Sequence, residues 1–296
     1  MPIVEAVLSV ESAAAVARKV ESSTGEVVRI RPRAGWRAMD LAELWRYREL
    51  LWFLAARDIK LRYKQTALGV AWAVIQPLFT MFLFSIFFGR LGGIPSDGMP
   101  YPLFTLCALL PWQLFAYALM QSSNSIVNEQ RLITKVYFPR LIVPISSVLS
   151  GLVDFTVAFV LLLAMMTWYG QTPSWAVVTV PLFVLLALAA ALAVGLWLAA
   201  LNVQYRDFRY TIPFLTQLWL FASPVAYPSS LVPEAWRPLY GLNPMAGVIE
   251  GFRWALLNKA DLSWELLAAS TAAVAIMLTG GLFYFQRMEK TFADIV

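Results

Sequence analysis

Histidine is absent from this 296-residue sequence, and cysteine occurs once, as Cys107. Without histidine the chain lacks the commonest general base, proton-relay group and metal ligand of proteins. A single cysteine excludes an internal disulfide and supplies no metal-binding pair. We therefore expect no metal site, and catalytic chemistry would have to rest on carboxylates, which are scarce in the apolar segments.

Charged residues are also scarce, at 14% of the chain, whereas hydrophobic residues make up 60%. A soluble domain would carry about a quarter charged residues, so the composition predicts an integral membrane protein. The net charge of +5 does not indicate nucleic-acid binding, because the cations cluster at the ends of apolar segments rather than along one face.

Motifs for nucleotide chemistry are missing as well. The sequence has no Gly-x-x-x-x-Gly-Lys-Ser/Thr loop, so it does not hydrolyse nucleotides by that route. It also has no Asp-x-Asp pair to hold a metal and a nucleotide sugar. We expect a chain that is not an enzyme by itself and that binds no cofactor.

The sequence instead contains six apolar runs, which predict an all-α integral membrane fold. The first run has no charged residue and is long enough to cross a hydrocarbon core of about 30 Å. The predicted spans, in a transmembrane domain at 68–285 that a C-terminal segment at 286–296 follows, are 69–89, 103–126, 141–168, 175–201, 211–227 and 264–285.

Two segments precede the first span. Residues 1–35 lack the continuous apolar core of a signal peptide, and we expect a mobile cytoplasmic tail. Residues 36–67 predict an amphipathic helix in the membrane interface, with a helix packed on the transmembrane body as the alternative. The predicted apolar face consists of Leu41, Leu44, Trp45, Trp52, Ala55 and Ile59.

The segment 228–257 differs from the spans because prolines interrupt it. Its apolar stretch at 245–257 is too short to cross a membrane and carries Glu250 and Arg253. These properties are typical of a re-entrant or interfacial helix.

Lysine and arginine are distributed unequally. The segments 1–67, 127–140, 201–210 and 286–296 hold 19 of the 23 cations. The positive-inside rule therefore predicts that these segments, including both termini, are cytoplasmic.

A short basic segment, 128–144, separates the second and third spans and contains Tyr137-Phe138-Pro139-Arg140. Its cations cannot lie cheaply in hydrocarbon, and its apolar minority indicates a short helix lying against another surface. We interpret the segment as a docking element for a soluble partner. The alternative is an ordinary cytoplasmic loop whose charges only set the topology.

Side chains inside the spans supply two further candidates. Asp154 is the one acid deep within a predicted span, and it is either functional or a structural partner of Ser or Thr on a neighbouring span. Aromatic residues of the first and fifth spans either line a passage for sugar rings or pack against lipid and helices. They are Trp72, Phe79, Phe84, Phe214, Trp219 and Phe221.

Taken in order over 40–285, the motifs of this chain resemble those of the membrane subunits of type-2 ABC (ABC-2) exporters of polysaccharide, which include exporters of O-antigen, capsule and teichoic acid. The motifs are Asp58-Ile59-Lys60-Leu61-Arg62-Tyr63-Lys64, Leu68-Gly69-Val70-Ala71-Trp72, Gln76-Pro77, Pro111-Trp112, Asn128, Lys135-Val136-Tyr137-Phe138-Pro139-Arg140, Tyr205-Arg206-Asp207-Phe208, Ser223-Pro224-Val225, Tyr227-Pro228 and Leu242-Asn243-Pro244.

The resemblance implies a role for each group of residues. A cytoplasmic coupling helix and a second turn would contact an ATP-binding subunit through Asn128, Glu129, Arg131, Lys135, Tyr137, Arg140, Arg206 and Asp207. Extracytoplasmic re-entrant gate helices at 228–257 would include Tyr227, Trp236, Tyr240, Asn243, Glu250 and Arg253. The aromatic residues of the first and fifth spans would line a channel. A substrate diphosphate would meet Arg57, Lys60, Arg62 and Lys64, although topology alone also explains these cations.

The resemblance also implies an assembly in the bacterial cytoplasmic (inner) membrane. A homodimer of this chain would bind two ATP-binding cassette subunits, which hold ATP and Mg, and would export a polysaccharide linked to undecaprenyl diphosphate, such as O-antigen. Membrane lipids, but no nucleic acid, would be further partners. The alternatives are an exporter of a drug or small molecule and a membrane glycosyltransferase. The short, nearly uncharged outer loops count against the glycosyltransferase.

Overall fold

The structure is a computed structural model that describes residues 41–64, 69, 71–233, 236–257 and 262–295. The tail predicted at 1–35 lies outside these residues. The described chain is helical throughout and has no strand, which confirms the all-α fold class. In chain order the α-helices are α1 (Leu41–Arg46), α2 (Arg48–Lys64), α3 (Ala71–Phe84, extended by π-helical Ser85–Leu91), α4 (Tyr101–Asn128), α5 (Gln130–Lys135), α6 (Ile142–Leu149), α7 (Leu152–Trp168), α8 (Val180–Gln204), α9 (Phe208–Ala222), α10 (Arg237–Tyr240), α11 (Pro244–Leu257) and α12 (Trp264–Ile295), with 3-10 turns at Trp175–Thr179 and Ser229–Leu231.

Five helical segments of the described chain are long and apolar enough to cross a membrane. They correspond to the first four predicted spans and to the sixth. The segments are Ala71–Leu91, Tyr101–Asn128, Ile142–Trp168, Trp175–Gln204 and Trp264–Phe292.

The helix in the predicted fifth span is shorter than the sequence indicated. α9 has 15 residues and ends at Ala222, whereas the prediction extended to residue 227. At 1.5 Å per residue it covers about 22 Å, less than a hydrocarbon core of about 30 Å. Ser223 leaves the helix with extended backbone (φ −103°, ψ 152°), as expected for a residue that precedes proline. The count of six spans therefore stays a prediction.

α4 is the central helix of the bundle. It packs against α3, α6, α7, α8, α9 and α11. In the most apolar stretch of α4, 78% of the residues are buried, compared with 6% in the most apolar stretch of the first span. α8 approaches α4 closely because Gly195 has no side chain. A Cβ atom at this position would lie 2.0 Å from Oγ of Ser122, so a glycine is required where the two helices meet.

α11 lies inside the bundle rather than on its surface. Every residue of this helix except Trp254 is buried, and the helix packs against α4, α8 and α12. Burial on all sides does not fit a helix lying flat on the membrane, which would keep one side exposed. It fits a helix enclosed by the protein, and the re-entrant path stays a prediction.

α1 and α2 lie within the N-terminal helical segment predicted at 36–67, and the regular helix is interrupted at Tyr47. α2 packs against α6, and its buried residues are Leu54 and Ala55. Trp45 and Trp52 of the predicted apolar face are 71% and 68% exposed, whereas Ala55 of the same face is buried. The segment therefore packs on the bundle through part of this face, and the position of its tryptophans in the membrane interface stays a prediction.

Candidate functional site

The docking segment, defined as residues 128–140, is held against the bundle by two apolar side chains. Glu129 precedes the helix α5, and extended backbone resumes at Val136 (φ −128°, ψ 134°). Ile133 and Phe138 are buried in one apolar cluster with residues of α2, α4, α6, α8 and α12. The segment therefore has a fixed inner side, and its outer side faces away from the rest of the chain.

The outer side of the docking segment combines cations with exposed apolar surface. Arg131 and Lys135 are exposed, and neither forms an ion pair with another described residue. Asn128 is exposed nearby, and Val136 and Tyr137 are 52% and 62% exposed. Exposed aromatic side chains are enriched where proteins bind one another. This surface favours a docking role over a loop that only sets topology.

Charged groups tie both ends of the docking segment to other helices. At its start, Nη1 of Arg57 donates to Oε2 of Glu129 at 3.1 Å, and Nη2 donates to Oε1. At its end, the backbone N–H of Arg140 donates to Oε1 of Glu289 at 3.1 Å, and the Arg140 guanidinium donates to the Glu289 carbonyl. Glu129 and Arg140 are thus turned toward their own chain. Their contact with a partner stays a prediction.

The turn between α8 and α9 lies at the same end of the bundle. Nδ2 of Asn202 donates to the Ser123 carbonyl and to Oδ1 of Asn124, both at 3.1 Å, close to where α4 leads into the docking segment. Arg206 and Asp207 are exposed in this turn. The structure therefore brings the two regions predicted to contact an ATP-binding subunit to one end of the bundle.

Arg57, the first of the four cations predicted to meet a diphosphate, is saturated by protein acceptors. Besides its bonds to Glu129, it donates from Nε and Nη2 to Oδ1 of Asp58, at 3.1 and 2.9 Å. Burial lowers the pKa of Arg57, but the hydrogen bonds to Glu129 and Asp58 outweigh this effect, and the pKa is raised overall. Its guanidinium is engaged within the chain.

Asp154 is paired through both carboxylate oxygens with the end of α2. Nη2 of Arg62 forms an ion pair with Oδ2, and the Tyr63 hydroxyl donates to Oδ1. The Arg62 guanidinium also lies over the ring of Tyr117, 4.2 Å from its centroid. Burial, followed by the hydrogen bond to Asp154, raises the pKa of Tyr63 to about 12, so the hydroxyl remains a donor. The sequence had suggested a Ser or Thr partner on a neighbouring span, and this was wrong.

Lys60 and Lys64 differ from the two arginines of α2. Both lysines are exposed, and neither forms an ion pair with another described residue. An ammonium group of this kind can attract an anion without first giving up a carboxylate. Of the four cations predicted to meet a diphosphate, Lys60 and Lys64 are therefore the two that are exposed and not paired with a carboxylate of the described residues. The diphosphate contact itself stays a prediction.

The predicted channel residues divide into exposed and packed side chains. Those more than half exposed are Trp72, Phe79, Phe214 and Phe221. The other two lie inside: the Phe84 ring contacts the ring of Phe88, and Trp219 meets Phe115 edge-on at 5.1 Å. An open apolar cavity of about 410 Å³ lies beside Trp219, between α4, α8 and α9. A channel role for the exposed residues stays a prediction.

The predicted gate contains a buried ion pair that organises its backbone. Nη1 of Arg253 lies 3.2 Å from Oε1 of Glu250, and the Arg253 side chain is 1% exposed. Arg253 also donates to the carbonyls of Val225 and Tyr227, at 3.1 and 3.4 Å. Its guanidinium lies 3.6 Å from the centroid of the Phe104 ring. Arg253 thereby orders the non-helical stretch that follows α9.

The remaining predicted gate residues have different environments. The hydroxyl of Tyr240 donates to that of Tyr227 at 3.2 Å, whereas Trp236 is exposed. Asn243 accepts from the backbone N–H of Met245 at 3.0 Å and thus caps α11. The sequence carries a signal for this cap, because asparagine before Pro244 at a helix start is a common capping arrangement.

The site is suited to holding and moving helices rather than to bond chemistry. Most of its charged groups inside the bundle are paired with one another, as the arginine–carboxylate contacts show. In the part of the chain that the structure describes, no three His, Cys, Asp or Glu side chains lie close enough together to hold a metal ion.

Comparison with known proteins places these segments in context. The family model described as ABC-2 type transporter matches residues 49–257. The O-antigen export system permease protein RfbA of Myxococcus xanthus is 33% identical over 257 residues, covering 86% of this chain and 98% of that protein. RfbA of Klebsiella pneumoniae is 27% identical over 249 residues (84% and 95%). The polysialic acid transport protein KpsM of Escherichia coli is 24% identical over 214 residues (69% and 80%).

Proposed function

The chain belongs to the ABC-2 type transporter family, and we propose that it is the membrane-spanning subunit of an ATP-driven exporter of polysaccharide. The observation that carries this proposal is the similarity to O-antigen export permeases along nearly their whole length. The exposed outer side of the docking segment supports it. In such a transporter the chain moves its cargo and catalyses no bond chemistry itself.

The partner in this proposal is a separate ATP-binding cassette subunit, which binds ATP and Mg. It contacts the outer side of the docking segment, where Arg131, Lys135 and Tyr137 are exposed. A second contact is made by the turn that contains Arg206 and Asp207. The exposure of both regions at one end of the bundle supports this arrangement.

Two copies of the chain form the export pathway in this proposal. α3 and α9 both pack against α4, and both retain exposed aromatic side chains. Facing each other across a dimer, these sides would form a channel whose aromatic surface stacks on the C–H faces of sugars. The same sides would face lipid in a single chain, so the oligomeric state is a direct test.

The cargo is proposed to be a glycan on an undecaprenyl diphosphate carrier. A diphosphate needs cations close to the point where it arrives, and charge-assisted contacts to phosphate are strong. Lys60 and Lys64 supply exposed ammonium groups just before the first span. Because Arg57 and Arg62 are engaged by carboxylates, the lysines make the first contact.

The proposed location is the bacterial inner membrane, with both termini in the cytoplasm. Five long apolar helices require a membrane, and the docking segment must lie where ATP is available. The distribution of lysine and arginine supports a cytoplasmic position for this segment.

Co-purification tests the proposal. We would tag only this chain, express it with the ATP-binding protein encoded beside it, and extract both in mild detergent. We expect a stoichiometric complex, and we expect a strain without this chain to lose surface polysaccharide and accumulate lipid-linked glycan in the membrane. No ATPase partner, together with sugar transfer by the chain alone, would establish a glycosyltransferase. Unchanged surface polysaccharide with altered drug sensitivity would establish a small-molecule exporter.

A further inference from the structure

α2 is attached by ion pairs to two different parts of the bundle. Arg57 pairs with Glu129, which immediately precedes α5 in the docking segment. Arg62 pairs with Asp154 in the first turn of α7, which belongs to the third span. One helix outside the predicted spans therefore contacts both the surface predicted to meet the ATPase and a membrane-spanning segment.

Both attachments have specific geometry. The Arg57 guanidinium donates to both oxygens of Glu129, which is a bidentate arrangement that fixes orientation as well as distance. Each oxygen of Asp154 has its own donor, Arg62 or Tyr63. The side chains of Arg57, Glu129 and Asp154 are partly buried, at 31%, 22% and 22% exposure, so salt screens these groups less than it screens fully exposed ones. Arg62 is more exposed, at 37%.

The buried side chains of α2, Leu54 and Ala55, lie about one helical turn before the first attachment. Leu54 is buried in the same apolar cluster as Ile133 and Phe138 of the docking segment. At about 100° per residue around an α-helix, Arg57 and Arg62 lie about 60° and 80° to either side of Leu54. The ion pairs therefore flank the buried side of α2.

The far attachment acts on a span that is already interrupted. α6 ends at Leu149 and α7 begins at Leu152. Ser150 and Gly151 between them keep right-handed helical backbone angles, so the break at 150–151 is a local irregularity within one helical span. The hydroxyls of Ser150 and Tyr117 are hydrogen-bonded at 3.0 Å, and the guanidinium of Arg62 lies on the Tyr117 ring. A helix bends most easily at such a site, because its regular backbone hydrogen bonds are already disturbed there.

We propose that α2 is a strut that carries displacement of the docking segment to the break in the third span, through the pairs Arg57–Glu129 and Arg62–Asp154. This mechanical link between the docking segment and the third span lies within one chain and needs no partner. Its use in transport rests on the proposed function. The competing route is α4, which leads directly into the docking segment. Removing either ion pair leaves α4 intact, so the two routes can be separated.

Hydrogen exchange on the full chain in lipid nanodiscs tests the mechanical link. Arg62 has no described contact with the docking segment, yet Arg62→Gln should speed amide exchange at 129–136 by about threefold or more. Glu129→Gln should do the same at 150–155. The conservative Arg62→Lys, which keeps the charge but loses the planar fork, should have an intermediate effect. Arg46→Gln and Glu49→Gln change exposed charges nearby and should leave both regions unchanged.

The strut is overturned if each variant changes exchange only in its own neighbourhood. This result does not depend on whether the chain exports anything, because neither the ATPase nor a cargo is present. A variant that fails to accumulate is replaced by the conservative one, which retains a cation at the same position.

Charge exchange in the complex with the ATP-binding subunit tests the use of the strut in transport. Arg57→Glu and Glu129→Arg should each lower surface polysaccharide by about tenfold. Arg57→Glu, at a residue outside the predicted ATPase contacts, should do so with the complex and its ATP hydrolysis retained. The double variant should recover export to within about threefold of the original chain, because the pair is restored with reversed polarity. If the single variants export as well as the original chain, or if the double variant recovers no export, α2 does not act in transport through the Arg57–Glu129 pair. If the unaltered chain neither binds the ATPase nor supports export, the proposed function fails and this role fails with it, while the exchange measurement still decides the mechanical link.

Discussion

Trp219 donates its indole N–H to Oδ1 of Asn243 at 2.9 Å, which joins α9 to the start of α11. The amide of the same asparagine donates to the Ala222 carbonyl at 3.1 Å and to Oγ of Ser223 at 3.0 Å, where α9 ends. One side chain thus satisfies the end of one helix and the beginning of the next. The short fifth helix and the re-entrant helix are therefore held as a unit.

Asn243→Ala should lower the stability of the protein, because it removes all of these hydrogen bonds at once. At about 1 kcal/mol for each bond, the loss should be about 2–4 kcal/mol. Thermal unfolding in detergent measures it. Trp219→Phe removes a single donor and should cost about 1 kcal/mol. The exposed neighbour Leu242 is the control, and Leu242→Ala should unfold with the original chain. An Asn243→Ala protein as stable as that control would contradict the assignment.

Gly195→Ala should destabilise the contact between α4 and α8. The added Cβ would lie 2.0 Å from Oγ and 3.0 Å from Cβ of Ser122, so the Ser122 hydroxyl must rotate out of its buried position or the helices must move apart. We expect a loss of about 1–3 kcal/mol, as for other overpacked cores. Ser122→Ala in the same chain removes the clashing oxygen and should recover part of the loss. Thermal unfolding of the two single variants and the double variant gives the coupling. Simple additivity of the single effects would show that the added methyl group does not contact Ser122.

Arg253→Met alone should be severely destabilising, because it leaves the Glu250 carboxylate buried without its cation. Breaking one side of a buried pair costs about 3–5 kcal/mol. Glu250→Gln combined with Arg253→Met removes both charges and should be more stable than Arg253→Met alone. A double-mutant cycle of unfolding free energies measures this coupling. A double variant no more stable than Arg253→Met would show that the lost carbonyl contacts of Arg253, and not the unpaired Glu250 carboxylate, cause the destabilisation.

Reversing the charges of Arg131 and Lys135 should uncouple ATP hydrolysis from export. Both side chains point away from the chain, so the glutamate variants should insert and fold normally. The measurement pairs ATPase activity of the co-purified complex with the amount of polysaccharide on the cell surface. Arg46→Glu makes the same change at another exposed site and is the matched control. Unchanged export in the double reversal would remove the docking role.

The span positions were predictable because apolar length is written directly in the sequence. The run at 103–126, for example, became the helix Tyr101–Asn128. The fifth span failed at its end because apolar residues continue beyond Pro224, although the chain has already left the helix at Ser223. The apolar run and the helix agree in length in α4, which continues through Pro111, whereas α9 ends before Pro224 although the apolar run goes on.

The charge pairings of the site were not predictable in the same way. Arg57 and Glu129 are 72 residues apart in sequence, and no local pattern joins them. In the sequence Arg57 and Arg62 look like Lys60 and Lys64, and only the packing of α2 separates the engaged arginines from the exposed lysines. Asn243, by contrast, was a local signal, because a helix cap depends on neighbours within a few positions.

The most apolar stretches of the first and second spans have mean hydropathies of 1.8 and 1.7. Only 6% of the first stretch is buried inside the chain, compared with 78% of the second. Two stretches of nearly equal hydropathy are therefore under different packing constraints. Within the described chain, few side chains of the first are enclosed by other helices, so many apolar residues would fit at each position. The second needs side chains of the right volume at each position, because six neighbouring helices shape the space around it.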